Sequence, residues 1–349
     1  MTEAAHVLVE TAGSLGRVRL NRPKALNSLT FEMVQDIAAA LVYFETAPNV
    51  GAVLISGEGE RGLCAGGDIR ALYDHGRDGS GFGELFFRAE YRMNAHIAGY
   101  TKPYIAMMDG ITMGGGVGIS AHGAVRIVTE RTKIAMPETG IGFFPDVGGT
   151  WLLSRSPGEI GTFIGLTGDY IGGADAIYAG LADHFVNSVK IPALIAALAA
   201  VPTSVTHAEV RAIVDEFVEP VVPPLGTYRT EIDNAFAYGS VEKIDVALEK
   251  SGSEFARKTL GVMAQKSPIS MKVTLKLLRL ARQDICLEDS LEREFTAGQA
   301  VLASDEFYEG VRALVVDKDR TPKWSPATLA EVTDELVDKY FSHSAKKIF

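Results

Sequence analysis

Apolar positions in the first third of the chain fall into short continuous runs separated by stretches of helical spacing. Residues 6–10 and 15–20 read as two strands around Gly13-Ser14, an N-terminal hairpin. Asn21-Arg22-Pro23-Lys24 breaks the sheet. Thr30 is placed to cap a helix to residue 47, in which Met33, Ile37, Ala40, Leu41 and Phe44 share one face. The run at 51–56 is wholly apolar, the pattern of a strand covered on both sides. A glycine-rich turn at 62–70 leads into a helix, and 82–98 is a further helix ended by Gly99. Strand 104–108 precedes Gly114-Gly115-Gly116, which opens a short segment to Ala121; strand 125–129 follows, then a loop at 136–149. Strand, loop and helix thus alternate to about residue 130, the pattern of stacked right-handed βαβ-type turns in an α/β fold.

Beyond Ile160 the spacing is almost wholly helical, with helices expected at 191–200, 207–218, 228–237, 241–250, 253–265, 267–282, 288–303 and 307–316. Pro220 to Pro224 is the clearest linker, because proline cannot continue a helix. The expected division is a core at 1–195 and a helical C-terminal region at 196–349, with an insert at about 200–260.

Composition narrows the function. A hydrophobic content of 47% in 349 residues supports a packed core. The formal charge of −10 argues against nucleic-acid or anionic-membrane partners, which select a basic excess. Apolar runs stop short of a membrane span, and residues 1–6 lack the pattern of a signal peptide, so a cytoplasmic protein is expected. Cys64 and Cys286 read as reduced core thiols, and no metal-ligand spacing is present.

Three stretches can carry chemistry. In Cys64-Ala65-Gly66-Gly67-Asp68 the N–H of Gly67 at a helix start is a natural oxyanion donor; the ordinary alternative is a strand-to-helix turn with Asp68 as its cap. Gly114-Gly115-Gly116-Val117-Gly118 suggests close approach of a ligand to the backbone, or of a neighbouring strand. Glu138 and Asp146 lie in a loop of apolar and glycine residues, where desolvation can raise both carboxyls toward acid–base use. Their ordinary alternatives are a solvated carboxylate and a helix cap. Glu90, within the helix 82–98, reads by spacing as a solvent-face charge. Arg22, Lys24, Arg61 and Arg70 flank the early loops and could meet phosphates or be plain surface charge.

Together, Asn21-Arg22-Pro23-Lys24-Ala25-Leu26-Asn27, the 64–70 loop, Asp109-Gly110 through the glycine triplet, and Pro137-Glu138 to Gly149 resemble, in order, the crotonase superfamily, also called the enoyl-CoA hydratase/isomerase family. The resemblance covers about residues 5–190 and resumes from about Ser267. Plain hydratases carry a second catalytic glutamate where this chain has Gly118, so the resemblance is nearest to members that hydrolyse a short branched 3-hydroxyacyl-CoA thioester. Phe144-Pro145-Asp146-Val147-Gly148-Gly149, Asp317 to Trp324 and the extra helices at about 200–260 point the same way. The implied fold is a crotonase-like ββα spiral, usually assembled as a homo-oligomer, and the implied activity is thioester hydrolysis of 3-hydroxyisobutyryl-CoA in valine catabolism. The N–H groups of Gly67 and Gly115 would form the oxyanion hole, with Glu138 as nucleophile or as base for water, and Asp146 would hydrogen-bond the substrate or serve as acid. Glu90 would line the acyl pocket, and CoA would pass along Ala25, Leu26, Gly114 and the Ala65, Gly66, Asp68 and Ile69 backbone. CoA enters as part of the substrate, with no permanently bound cofactor. The alternatives are an enoyl-CoA hydratase or isomerase using Glu138 alone, and a non-catalytic acyl-CoA-binding protein.

Overall fold

The computed structural model describes residues 5–343 and 346–349. Residues 1–4, on which most of the signal-peptide reading rests, lie outside the described residues. The strands are β1 (Val7–Ala12), β2 (Leu15–Leu20), β3 (Ala52–Gly57), β4 (Gly62–Cys64), β5 (Tyr104–Met108), β6 (Ile111–Met113), β7 (Val125–Val128), β8 (Lys133–Ala135), β9 (Ile171–Gly172) and β10 (His184–Phe185). All later elements are helical.

The chain forms two compact units, each assembled from three stretches of sequence. One comprises the described residues of Met1–Gly67, Arg92–Ile134 and Ile171–Pro223, and the other Asp68–Tyr91, Ala135–Tyr170 and Pro224–Phe349. The last break falls between Pro223 and Pro224, inside the proline-rich linker. The linear division expected at 195 follows element type, whereas the units follow packing.

In the first unit a six-stranded sheet runs β1-β2-β3-β5-β7-β10. The β1–β2 hairpin is antiparallel, Val7 opposite Leu20, and every later pairing is parallel. Parallel neighbours require crossovers, and buried β3 and β5 accordingly show the continuous apolar runs of strands covered on both faces. Leu15, Leu54, Ile105 and Ile127 join one core with Leu194, Leu198, Val210 and Val214 from the helices Ile191–Ala199 and His207–Asp215. Gly16 points to the opposite face, where a side chain would strike the Phe44 ring at 2.9 Å. Phe44 belongs to the helix Phe31–Thr46, capped by the Thr30 hydroxyl, which accepts from the Met33 N–H at 3.2 Å.

A second sheet, β4-β6-β8-β9, was not expected beyond its glycine turns. Strands of two or three residues are too short to show a period, so β6, β8 and β9 leave no strand signal in the sequence. The expected segment from the glycine triplet to Ala121 shortens to a helix at Gly115–Gly118.

In the second unit the helices Gly149–Ser154, Ile160–Thr167, Pro268–Ala281 and Leu287–Leu302 bury their apolar faces against one another, and Phe295 of the last joins an aromatic cluster. Phe143 stacks on Phe144 at 4.5 Å and on Phe87 at 5.5 Å, and Tyr91 meets Phe295 edge-on at 6.3 Å. Cys64 is buried, but Cys286 is exposed at the start of its helix, which corrects the expectation of two core thiols.

Candidate active site

In the first unit three sequence motifs are laced together by their backbones. The Ala65 N–H donates to the Leu26 carbonyl at 3.0 Å and the Leu29 N–H to the Gly66 carbonyl at 2.8 Å. Leu26 and Asn27 both sit at left-handed φ, and the buried Asn27 side chain fixes them. Its carbonyl accepts from the Arg22 N–H at 2.9 Å and its amide donates to the Glu58 carbonyl at 3.0 Å. Parallel pairing of β4 with β6, Cys64 beside Thr112, sets the 65–67 turn next to Gly114 and Gly115. A side chain at Gly66 would come within 3.8 Å of the Gly115 nitrogen. Gly115 is the first residue of its helix, where an N–H has no acceptor within the helix. The two candidate donors therefore leave adjacent turns of one unit.

The triplet also answers the packing alternative. A Cβ on Gly116 would lie 2.4 Å from the Cys64 carbonyl oxygen, so here close approach is by a neighbouring strand. Gly116→Ala is expected to destabilise the protein by about 1–3 kcal/mol, measured by denaturant unfolding. Gly114, at φ 47° and ψ −119°, occupies a region suited to glycine.

Asp68 caps the helix Ile69–His75, its carboxylate accepting from the Ala71 N–H at 3.3 Å, so the ordinary reading of Asp68 holds. The early arginines are engaged locally: Arg22 donates to the Ser28 carbonyl at 2.7 Å, Arg61 to the carbonyls of Pro23 and Lys24, and Arg70 pairs with Asp74. Ala25 and Lys24 are exposed.

The second unit brings together Glu90, Glu138 and Asp146 and adds Tyr91 and Glu294. Glu138 opens the 3₁₀ turn Glu138–Ile141 and is 6% exposed; its Oε2 has no hydrogen-bond partner among the described residues. Burial, and then the charge of Asp146, hold its carboxyl well above the usual carboxylate range, while Lys266 pulls the other way. Asp146 is equally buried and also raised by burial, restrained by the Tyr91 hydroxyl, which donates to Oδ2 at 2.7 Å. Glu90 is 2% exposed rather than on a solvent face, and burial and Asp146 raise it strongly. The signal was present in the sequence: Glu90 lies three and four residues after Phe87 and Phe86, on the apolar stripe of its helix.

Glu294 was missed. It is wholly buried, accepts from the N–H groups of Gly148 at 2.8 Å and Thr150 at 3.0 Å and from the Thr150 hydroxyl, and is pushed up to about 8 by burial. The cap of the helix Gly149–Ser154 is thus Glu294, which frees the Asp146 side chain from the capping role weighed for it. A carboxyl that holds a proton near neutrality can act as an acid, and one that has lost it in an apolar site is a strong base or nucleophile. Four raised carboxyls, Glu90, Glu138, Asp146 and Glu294, thus lie in one cluster centred on Asp146.

Residues 15–341 match the family described as enoyl-CoA hydratase/isomerase. The chain is 44% identical to a 3-hydroxyisobutyryl-CoA hydrolase, mitochondrial, of Danio rerio, over 97% of this chain and 90% of that one, and 40% identical to that of Homo sapiens over 97% and 89%. Among solved structures, a carnitinyl-CoA dehydratase from Mycobacterium thermoresistibile is 45% identical with a TM-score of 0.93, covering 99% of each chain. An enoyl-CoA hydratase from Rhodobacter sphaeroides is 40% identical with a TM-score of 0.89, covering 97% of each. The α/β crotonase-like fold expected from the motifs is the fold observed, and the chain belongs to the enoyl-CoA hydratase/isomerase family.

Proposed function

We propose that this protein hydrolyses a short branched 3-hydroxyacyl-CoA thioester, 3-hydroxyisobutyryl-CoA, as in valine catabolism. The observation that carries it is the buried Glu138 carboxyl, with an unpartnered oxygen, beside a second raised carboxyl, Asp146, held by Tyr91. Near-full-length similarity to proteins named as hydrolases of that substrate supports the choice. The N–H groups of Gly67 and Gly115 take the charge that develops on the thioester oxygen. Glu138, as carboxylate, attacks the carbonyl carbon or deprotonates the water that does. The C–S bond breaks and Asp146 gives its proton to the leaving sulfur, releasing the free thiol. Where water attacked, the acid is released at once; where Glu138 attacked, water then cleaves the mixed anhydride to acid and free Glu138, and the proton that water loses restores Asp146. Glu90 faces the acyl group, and CoA runs along Ala25, Leu26, Gly114 and the Ala65, Gly66, Asp68 and Ile69 backbone.

The test is thiol release from 3-hydroxyisobutyryl-CoA by the purified protein, run beside loss of enoyl absorbance with crotonyl-CoA. No release above background from that substrate or related 3-hydroxyacyl-CoA esters rejects hydrolysis. Hydration faster than hydrolysis would support the second reading, which the similarity to a carnitinyl-CoA dehydratase favours. In this scheme Tyr91→Phe removes a bond that lowers the Asp146 pKa. The acid therefore keeps its proton to higher pH, and the basic limb of the kcat profile is expected to move upward. An unmoved limb would separate Tyr91 from Asp146 in the reaction.

We place the protein in solution as a homo-oligomer, to be measured by light scattering. No helix among the described residues is long and apolar enough to cross a membrane. The relatives are named mitochondrial, against the cytoplasmic placement expected for this chain. Imaging the tagged full-length chain in its native cell decides between the two.

A further inference from the structure

The turn that carries Asp146 is an unusual piece of backbone. Val147 lies at φ 54° and Gly148 at φ 77°, two successive left-handed residues of which the first is β-branched. Such a conformation is strained for a β-branched residue and persists only where the surroundings impose it. The Asp146 carbonyl accepts from the Gly149 N–H at 2.6 Å, closing the turn from within. From outside, the Glu294 side chain holds it on either side of Gly149. Glu294, in the helix Leu287–Leu302, takes the Gly148 N–H on Oε2 and the Thr150 N–H and hydroxyl on Oε1. Burying a carboxyl at 0% exposure is costly unless its oxygens are used, and here both are.

We infer that Glu294 is a positioning residue for the reaction: by gripping Gly148 and Thr150 it fixes the left-handed turn and so aims the Asp146 carboxyl. The inference rests on the hydrolase reading for what Asp146 does, and on backbone geometry alone for what Glu294 does. Glu294 acts through Asp146 and touches no reacting atom. Gly148 is the sensitive end of the grip, because it sits two residues from Asp146 inside the strained turn, whereas Thr150 already belongs to the following helix.

The test uses the full chain. In Glu294→Gln the amide oxygen keeps the Thr150 donors, and the amide NH₂ meets the Gly148 N–H without accepting from it. The expected result is a kcat lower by about 10- to 100-fold, the scale of a displaced catalytic group, with KM within twofold of the parent. Thr150→Val deletes one hydrogen bond to the same carboxyl and should cost about 3- to 10-fold in kcat, with Thr150→Ser restoring it. A parental kcat in Glu294→Gln, or a loss that lies in KM, overturns the inference. Should Glu294→Gln not fold, a parental kcat in Thr150→Val overturns it instead. If the parent protein hydrolyses no thioester, the hydrolase reading fails separately, and amide hydrogen exchange then decides for Glu294. The Gly148 amide should exchange at least about tenfold faster in Glu294→Gln, for the loss of its own bond to Oε2, and, if only Thr150→Val folds, at least about threefold faster there, because a carboxyl held by one bond fewer grips Gly148 less firmly; unchanged protection overturns the grip.

Discussion

Glu138→Gln should lower thioester hydrolysis by about 10²- to 10⁴-fold, the usual contribution of a positioned acid or base, while the protein stays folded. Glutamine matches the glutamate in size and can neither attack the carbonyl nor accept a proton from water. The substitution also removes an ionisable group whose charged form the site opposes, through burial and through Asp146. Circular dichroism should therefore be unchanged and CoA binding retained, which keeps the result a statement about chemistry. Thiol release from 3-hydroxyisobutyryl-CoA is the measurement. Undiminished turnover in the variant would remove Glu138 from the mechanism. Absent turnover in both proteins, with CoA still bound, would leave an acyl-CoA-binding protein.

The features legible in the sequence are those whose cause is local. Thr30 and Asp68 cap helices because a short polar side chain precedes each helical run, and both caps are present. The hairpin at Gly13-Ser14 and the break at Pro223 follow from turn and proline chemistry. Glu138 and Asp146 stood out because carboxyls are rare among glycine and apolar residues, and both are buried. What stayed hidden depends on contacts distant in sequence. The Tyr91–Asp146 bond links residues 55 apart, and Glu294 reaches Gly148 across 146. Yet Glu294 follows Leu287 and Leu291 on the buried stripe of its helix, so a glutamate at an apolar position was a readable sign. Glu90 carried the same sign among phenylalanines, and periodicity read residue by residue rather than by face assigned it to solvent.

These buried acids set how stability depends on pH. The melting temperature should fall as pH rises from about 5 to about 8, a direction opposite to that of a protein whose carboxylates are ion-paired. The sign follows from proton counting. A carboxyl raised by folding keeps its proton in the native state after the unfolded chain has lost it, so the native state binds more protons and unfolding becomes easier as pH rises. For Glu294, moving from 4.5 to about 8 corresponds to on the order of 5 kcal/mol across that window. Glu138, Asp146 and Glu90 act in the same direction. Carboxylates held low by arginine, Glu159, Asp183 and Asp284, lose their contribution only as pH falls through the acid range. The two groups together place the optimum near pH 5. Calorimetric scans from pH 4 to 9 at fixed ionic strength test this, and Glu138→Gln should show a shallower descent between pH 5 and 8. A flat parental curve, or parallel curves for parent and variant, would mean that these carboxyls titrate as they do in the unfolded chain. A descent would show that the fold pays in stability for the ionised Glu138 that hydrolysis requires, since the pH that supplies the carboxylate is the pH at which the buried cluster least tolerates it.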